Sequence, residues 1–147
     1  FAIADLDSDG TPEVVILTDQ HIHSEPILVL RWQDGQVYYY QEVGRGMQDL
    51  KADVTSEWSD SAFCNGFGRD RYQPGEDGGA DICMADILGE YDGFSEEPQY
   101  TLNGREVSVE EYEAALAAQR TKPDAVWYEL TAENAASALG VSAPTTR

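Results

Sequence analysis

The nine residues from Asp5 to Glu13, Asp-Leu-Asp-Ser-Asp-Gly-Thr-Pro-Glu, constrain this chain more than any other stretch. Asp5, Asp7 and Asp9 alternate, Gly10 follows them, and Glu13 closes the run. Three carboxylates crowded onto one tight loop repel one another unless a cation sits among them. A glycine at the sixth position supplies the sharp turn that wraps hard oxygen ligands around a calcium ion. The spacing assigns Asp5, Asp7 and Asp9 to ligand positions one, three and five. The backbone carbonyl of Thr11 takes position seven, and Glu13, directly or through water, takes position nine. An EF-hand would need a bidentate acid at position twelve, where this chain has Ile16. The flanks, Phe1-Ala-Ile-Ala-Asp and Glu13-Val-Val-Ile-Leu-Thr, read as strands instead of helices. The expectation is one structural Ca²⁺ clasped where two strands are joined, with an acidic turn that holds no metal as the alternative.

At 147 residues the chain is long enough for one domain with a sizeable core and short for two. Nine basic residues against 28 acidic ones leave a net charge of −19. So acidic a surface argues against nucleic acid or an anionic membrane as a partner. No apolar run approaches the roughly 18 residues of a membrane span, so no membrane insertion is expected from this segment. No signal peptide is visible, and the chain opens at Phe1 inside an apparent strand, so a processed or N-terminally truncated piece is expected. Cys64 and Cys83 lack CxxC spacing; they read as one disulfide in a secreted setting or as two buried thiols in a cytosolic one.

Residues 13–18 are β-branched and almost continuously apolar, which predicts a central strand buried on both faces. Residues 27–33 and 36–43 flank Asp34-Gly35, a strong hairpin signal. Short β-like runs follow at 53–58 and 62–67, with a longer one at 80–91. Between them, the Gly-, Asp- and Arg-rich stretch 68–79 predicts an exposed, mobile loop. Residues 92–98 form a further polar connection. Asn103-Gly104 marks another two-residue turn. Ser108 with Glu111 is a capping box that opens a helix with Val109, Tyr112, Ala115 and Leu116 along its apolar side, ending before Pro123. Val126–Leu130 reads as extended, and Thr131 caps a second helix that Gly140 ends. Residues 141–147 read as a frayed tail. Strands first and helices last predict an α+β fold: a mainly antiparallel meander with one or two C-terminal helices packed on it. The acidic motif occurs once, which excludes a full propeller.

Other chemistry is thin. His21 and His23, with Asp19 and Glu25 nearby, share a face if extended, but no third zinc ligand is identifiable, and solvated loop histidines are the expectation. HExxH, GxSxG and phosphate-loop signatures are absent, and no carboxylate pair is singled out for glycoside hydrolysis. Aromatics are plentiful: Trp32, Tyr38, Tyr39, Tyr40, Trp58, Phe63, Phe67, Tyr72, Tyr91 and Trp127. Tyr38 and Tyr40 share one face of their strand, which could stack on a sugar or peptide or could be core.

The loop resembles the strand-loop-strand calcium loops of integrin-type FG-GAP blades, used once. Phe1–Leu17, the Val29–Tyr38 hairpin and Tyr100–Tyr112 together resemble a domain of secreted proteins and lipoproteins from gut Firmicutes. That resemblance implies an extracellular or envelope-anchored address in a Gram-positive bacterium and a calcium-type loop, without an activity. The first expectation is therefore a calcium-stabilised, non-enzymatic envelope domain that offers a surface to a glycan or a protein. A carbohydrate- or peptide-acting hydrolase with acids from 44–98 is the second. An acidic inhibitor or immunity-type protein is the third.

Overall fold

A computed structural model describes residues 1–17, 27–42, 45–74, 80–94 and 96–141, with the side chains of 41, 42, 45 and 71–85 left aside. Two antiparallel sheets are formed, each a meander in chain order, followed by two helices. The α+β expectation holds, with the strands divided between two sheets.

The first sheet contains β1 (Ala2–Ala4), β2 (Glu13–Leu17), β3 (Ile27–Gln33) and β4 (Gln36–Glu42). β3 and β4 pair from Ile27↔Glu42 to Gln33↔Gln36. The turn between them has positive φ at both Asp34 (52°) and Gly35 (79°), as the type I′ geometry of a right-twisted hairpin requires. β2 lies between β1 and β3, a central strand as expected, yet its faces differ. Glu13 and Val15 are buried, whereas Val14 and Ile16 are only half-buried. The inner face carries Ala2, Val15, Ile27, Val29 and Tyr40, which close on Leu6, Met47 and Leu50 to make the main core. The alternation of a pleated strand then puts Trp32, Val37 and Tyr39 on the outer face, where all three are exposed. Tyr40 is core and Tyr38 packs against it, so of the two readings of this pair the core one holds. The exposed aromatics belong to the opposite face.

The second sheet contains β5 (Arg45–Gln48), β6 (Ser56–Ser61), β7 (Cys64–Pro74), β8 (Ala80–Asp92), β9 (Gln99–Leu102) and β10 (Arg105–Glu106). Residues 68–74, expected in a loop, are strand, paired from Gly68↔Ile87 to Pro74↔Ala80. Glycines of β7 and β8 serve packing. Gly66 faces Trp58 across the ladder and Gly89 faces Phe67. A Cβ at Gly66 would overlap the Gly89 carbonyl and the Trp58 ring; one at Gly89 would overlap the Phe67 ring. The indole and the phenyl ring thus lie over bare backbone on neighbouring strands. Residues 75–79 and 142–147, the rest of the expected loop and most of the expected tail, lie outside the described residues.

Helix α1 (Val109–Arg120) packs on β8 and β9. Ser108 caps it, its side chain accepting from the Glu111 N–H, while Glu111 itself pairs with Arg105. Buried Tyr112 stacks near Phe67 and Tyr100, at 6.2 and 5.4 Å between ring centroids. Helix α2 (Ala132–Leu139) starts at Thr131 and ends at Gly140 in the left-handed conformation, φ 67°. Between the helices the chain forms no strand, and Phe1 and Tyr128 exchange two backbone hydrogen bonds at the edge of the first sheet.

Cys64 is a free thiol, pushed up by burial and by nearby acids. β7 pairs Cys64 with Asp92 and Arg71 with Cys83, so the two cysteines stand seven ladder positions apart, roughly 20 Å at strand rise. That separation is too long for a disulfide, so the paired alternative is set aside.

Candidate metal centre

Two strands and one loop build the acidic site. The loop coils tightly, with positive φ at Ser8 (61°) and Gly10 (89°). Its carboxylates stitch it together: Asp9 N–H donates to Asp5 Oδ1 and Asp7 Oδ1, Gly10 N–H to Asp5 Oδ2, and Thr11 N–H to Asp9 Oδ1. Leu6, the one apolar residue among the acids, is 2% exposed and plugs the loop into the core. Its N–H donates to Glu13 Oε2 at 2.9 Å, joining the start of the loop to its end.

Glu13 opens β2 on the inner face and is fully buried. Burial pushes its carboxyl up to about 7, against the Leu6 N–H, which favours the charged form; the Asp7 charge adds to the rise. Oxygens of Asp5, Asp7 and Glu13 lie within 4.8 Å of one another. This triad has the hard-oxygen donor set and the spacing to hold a metal ion. A specific observation supports the fit: Glu13 Oε1 is buried with no hydrogen-bond partner. The Arg31 Nη1, 3.4 Å away, pairs with it as a charge without a hydrogen bond, and a divalent ion among the three carboxylates would satisfy it directly.

Of the four carboxylates assigned from the sequence, the structure brings Asp5, Asp7 and Glu13 together, while Asp9 pairs with a cation outside the triad. The residue the spacing argument missed is Arg31. It sits on β3, on the inner face, 8% exposed. Its Nη1 donates to Asp7 Oδ2, its Nη2 to Asp9 Oδ2 at 2.6 Å, and Nη1 stands 3.4 Å from Glu13 Oε1. Burial alone would lower the Arg31 pKa, but the Asp7 hydrogen bond and charge, with Glu13 and Asp9, hold it above its usual value. Asp9 is held below the usual carboxylate range, first by the Thr11 N–H and then by Arg31. The signal for Arg31 was present as the single basic residue inside the apolar run Ile-Leu-Val-Leu-Arg-Trp-Gln. Recognising it needed the β2–β3 register, which pairs Val14 with Leu30 and Val15 with Val29 and so brings Arg31 alongside Glu13.

His21 and His23 lie outside the described residues, as do Asp19 and Glu25. The Asp5, Asp7 and Glu13 group is the metal-competent cluster found among the described residues.

The chain matches no protein-family model, no curated protein and no solved structure.

Proposed function

We propose that this chain is a calcium-stabilised, non-enzymatic domain that works outside the cytoplasm, at a Gram-positive cell envelope, and offers a surface to a glycan or a protein. The observation that carries the calcium reading is the triad of Asp5, Asp7 and Glu13, converging at the join of two core strands with a buried, unsatisfied Glu13 oxygen. Calcium suits that site because it accepts irregular all-oxygen coordination, in which water would complete the shell around the three carboxylates. The site closes a sheet beside the core, with Leu6 anchored under it, which supports a structural role for the ion. The envelope address rests on the resemblance of the loop and hairpin sequences to secreted domains. The surface reading rests on Trp32, Val37 and Tyr39, exposed together on the outer face of the first sheet.

Calorimetric titration of calcium into chelator-treated protein tests the metal claim. One ion per chain is expected, and the Asp5→Asn, Asp7→Asn double variant should not bind it. No heat of binding, or equal binding by the variant, contradicts it. Co-sedimentation with cell-wall polysaccharide, or pull-down of an envelope protein, tests the surface claim. Either binding should vanish in Trp32→Ala, Tyr39→Ala while calcium binding stays intact.

A further inference from the structure

We infer that Arg31 is a tethered counter-cation that competes with the divalent ion for the acidic loop and so sets the calcium concentration at which the loop fills. The inference rests on the calcium reading and concerns its control. Asp7 and Glu13 belong both to the metal-competent triad and to the surroundings of Arg31. A calcium ion held at oxygen distances of about 2.3–2.6 Å from those two residues would sit beside a guanidinium already hydrogen-bonded to one of them. Two like charges at that range, in a site this buried, repel strongly.

Arg31 is well placed to yield. Its hold on the loop is through two carboxylates, Asp7 and Asp9, and Asp9 lies outside the triad. Its Nε is buried with no hydrogen-bond partner, so the side chain is incompletely satisfied where it stands. Of its two cross-strand neighbours, Tyr38 on β4 carries no opposite charge to retain it, and Glu13 on β2 is the triad member it would give up. Withdrawal from Asp7 and Glu13 toward Asp9 would leave the triad to the divalent ion and keep the guanidinium paired. Four carboxylates and one guanidinium leave the loop acidic with Arg31 in place, so a divalent ion is still attracted. It must displace a resident charge to enter.

Calcium titration of the wild type, Arg31→Gln and Arg31→Lys, together with melting in EDTA, tests this. Arg31→Gln should bind calcium about tenfold more tightly or better, since a competing charge at close range has been removed. It should also melt lower in EDTA, and Arg31→Lys, a charge without the two-pronged grip, should fall between. Binding by Arg31→Gln at concentrations where the wild type binds none counts as the same result. If Arg31→Gln unfolds in EDTA, recovery of its circular dichroism on adding calcium is the expected outcome. Failure to recover leaves Arg31→Lys to decide, and an affinity equal to the wild type then overturns the inference. Equal or weaker binding by a folded Arg31→Gln overturns it while the calcium reading stands. No binding by any of the three overturns the calcium reading, and the competition with it.

Discussion

Leu6 shows how a single side chain can couple a surface loop to a core. It is nearly as buried as Val15 and Val29, although it sits between two aspartates. Leu6→Ala should cost about 2–5 kcal/mol in urea unfolding, the range for truncating a buried leucine. The substitution keeps the N–H that bonds Glu13 but frees the loop from the core that positions it, so calcium affinity should fall with it. Asp53 makes a separate, pH-dependent contribution. Burial would raise its carboxyl, but the hydrogen bonds from Lys122 and Thr55 win and hold it at about 2. A depressed carboxylate stabilises the fold above its unfolded value near 3.8 and loses that contribution as pH falls toward 2. Asp53 is half-exposed, so the effect is small. The melting-temperature gap between wild type and Asp53→Asn should therefore be present at pH 6 and close by pH 2, about where the native carboxyl protonates. A gap that persists there contradicts the assignment. At this scale the acids of the loop were legible because their spacing is local. Arg31 was not, because its role depends on the β2–β3 register. Buried Gln119, which bonds Thr55 beneath α1, escaped for a related reason. A polar residue near the end of an amphipathic helix reads as solvated until its partner, 64 positions away, is known.

The elements that declared themselves carry their own geometry. Asp34-Gly35 and Asn103-Gly104 turn with positive φ at both residues, and Ser108, Thr131 and Gly140 cap their helices as their chemistry predicts. β7 and β8 were harder, because glycine normally weakens a strand. Here glycines at 66, 68 and 89 let Trp58, Phe67 and the crossing backbone approach, which no local pattern signals. The distinction is measurable. Gly66→Ala should cost about 1–3 kcal/mol, because the Gly89 carbonyl on a neighbouring strand has to shift. Gly104→Ala meets no atom and strains only its own turn, so its cost should be about 1 kcal/mol. Urea midpoints for the pair check this, and a Gly66→Ala protein as stable as the wild type would contradict the packing argument.

The whole molecule joins two meanders rather than extending one. Its first sheet and the segment around Met47 and Leu50 share a core, and the second sheet buries Trp58, Phe67 and Tyr112 near α1. Division into two sheets was not legible, since pairing within each hairpin is local while the break between β4 and β5 is a matter of packing. The polar junction at Lys51, which donates to Asp49, Asp124 and the Arg120 carbonyl, ties that break to the end of α1. Across the surface a charge of −19 opposes compaction, and any salt relieves part of that by screening. A specific ion does something screening cannot: it stabilises the native state through one loop and in proportion to its occupancy. Thermal unfolding in millimolar calcium, in EDTA and in sodium chloride of matched ionic strength therefore tests the central claim most directly. The account predicts a higher melting temperature in calcium than in either control, with the difference abolished in Asp5→Asn, Asp7→Asn. Equal melting in calcium and in matched salt, or a calcium response that survives in the double variant, would contradict it.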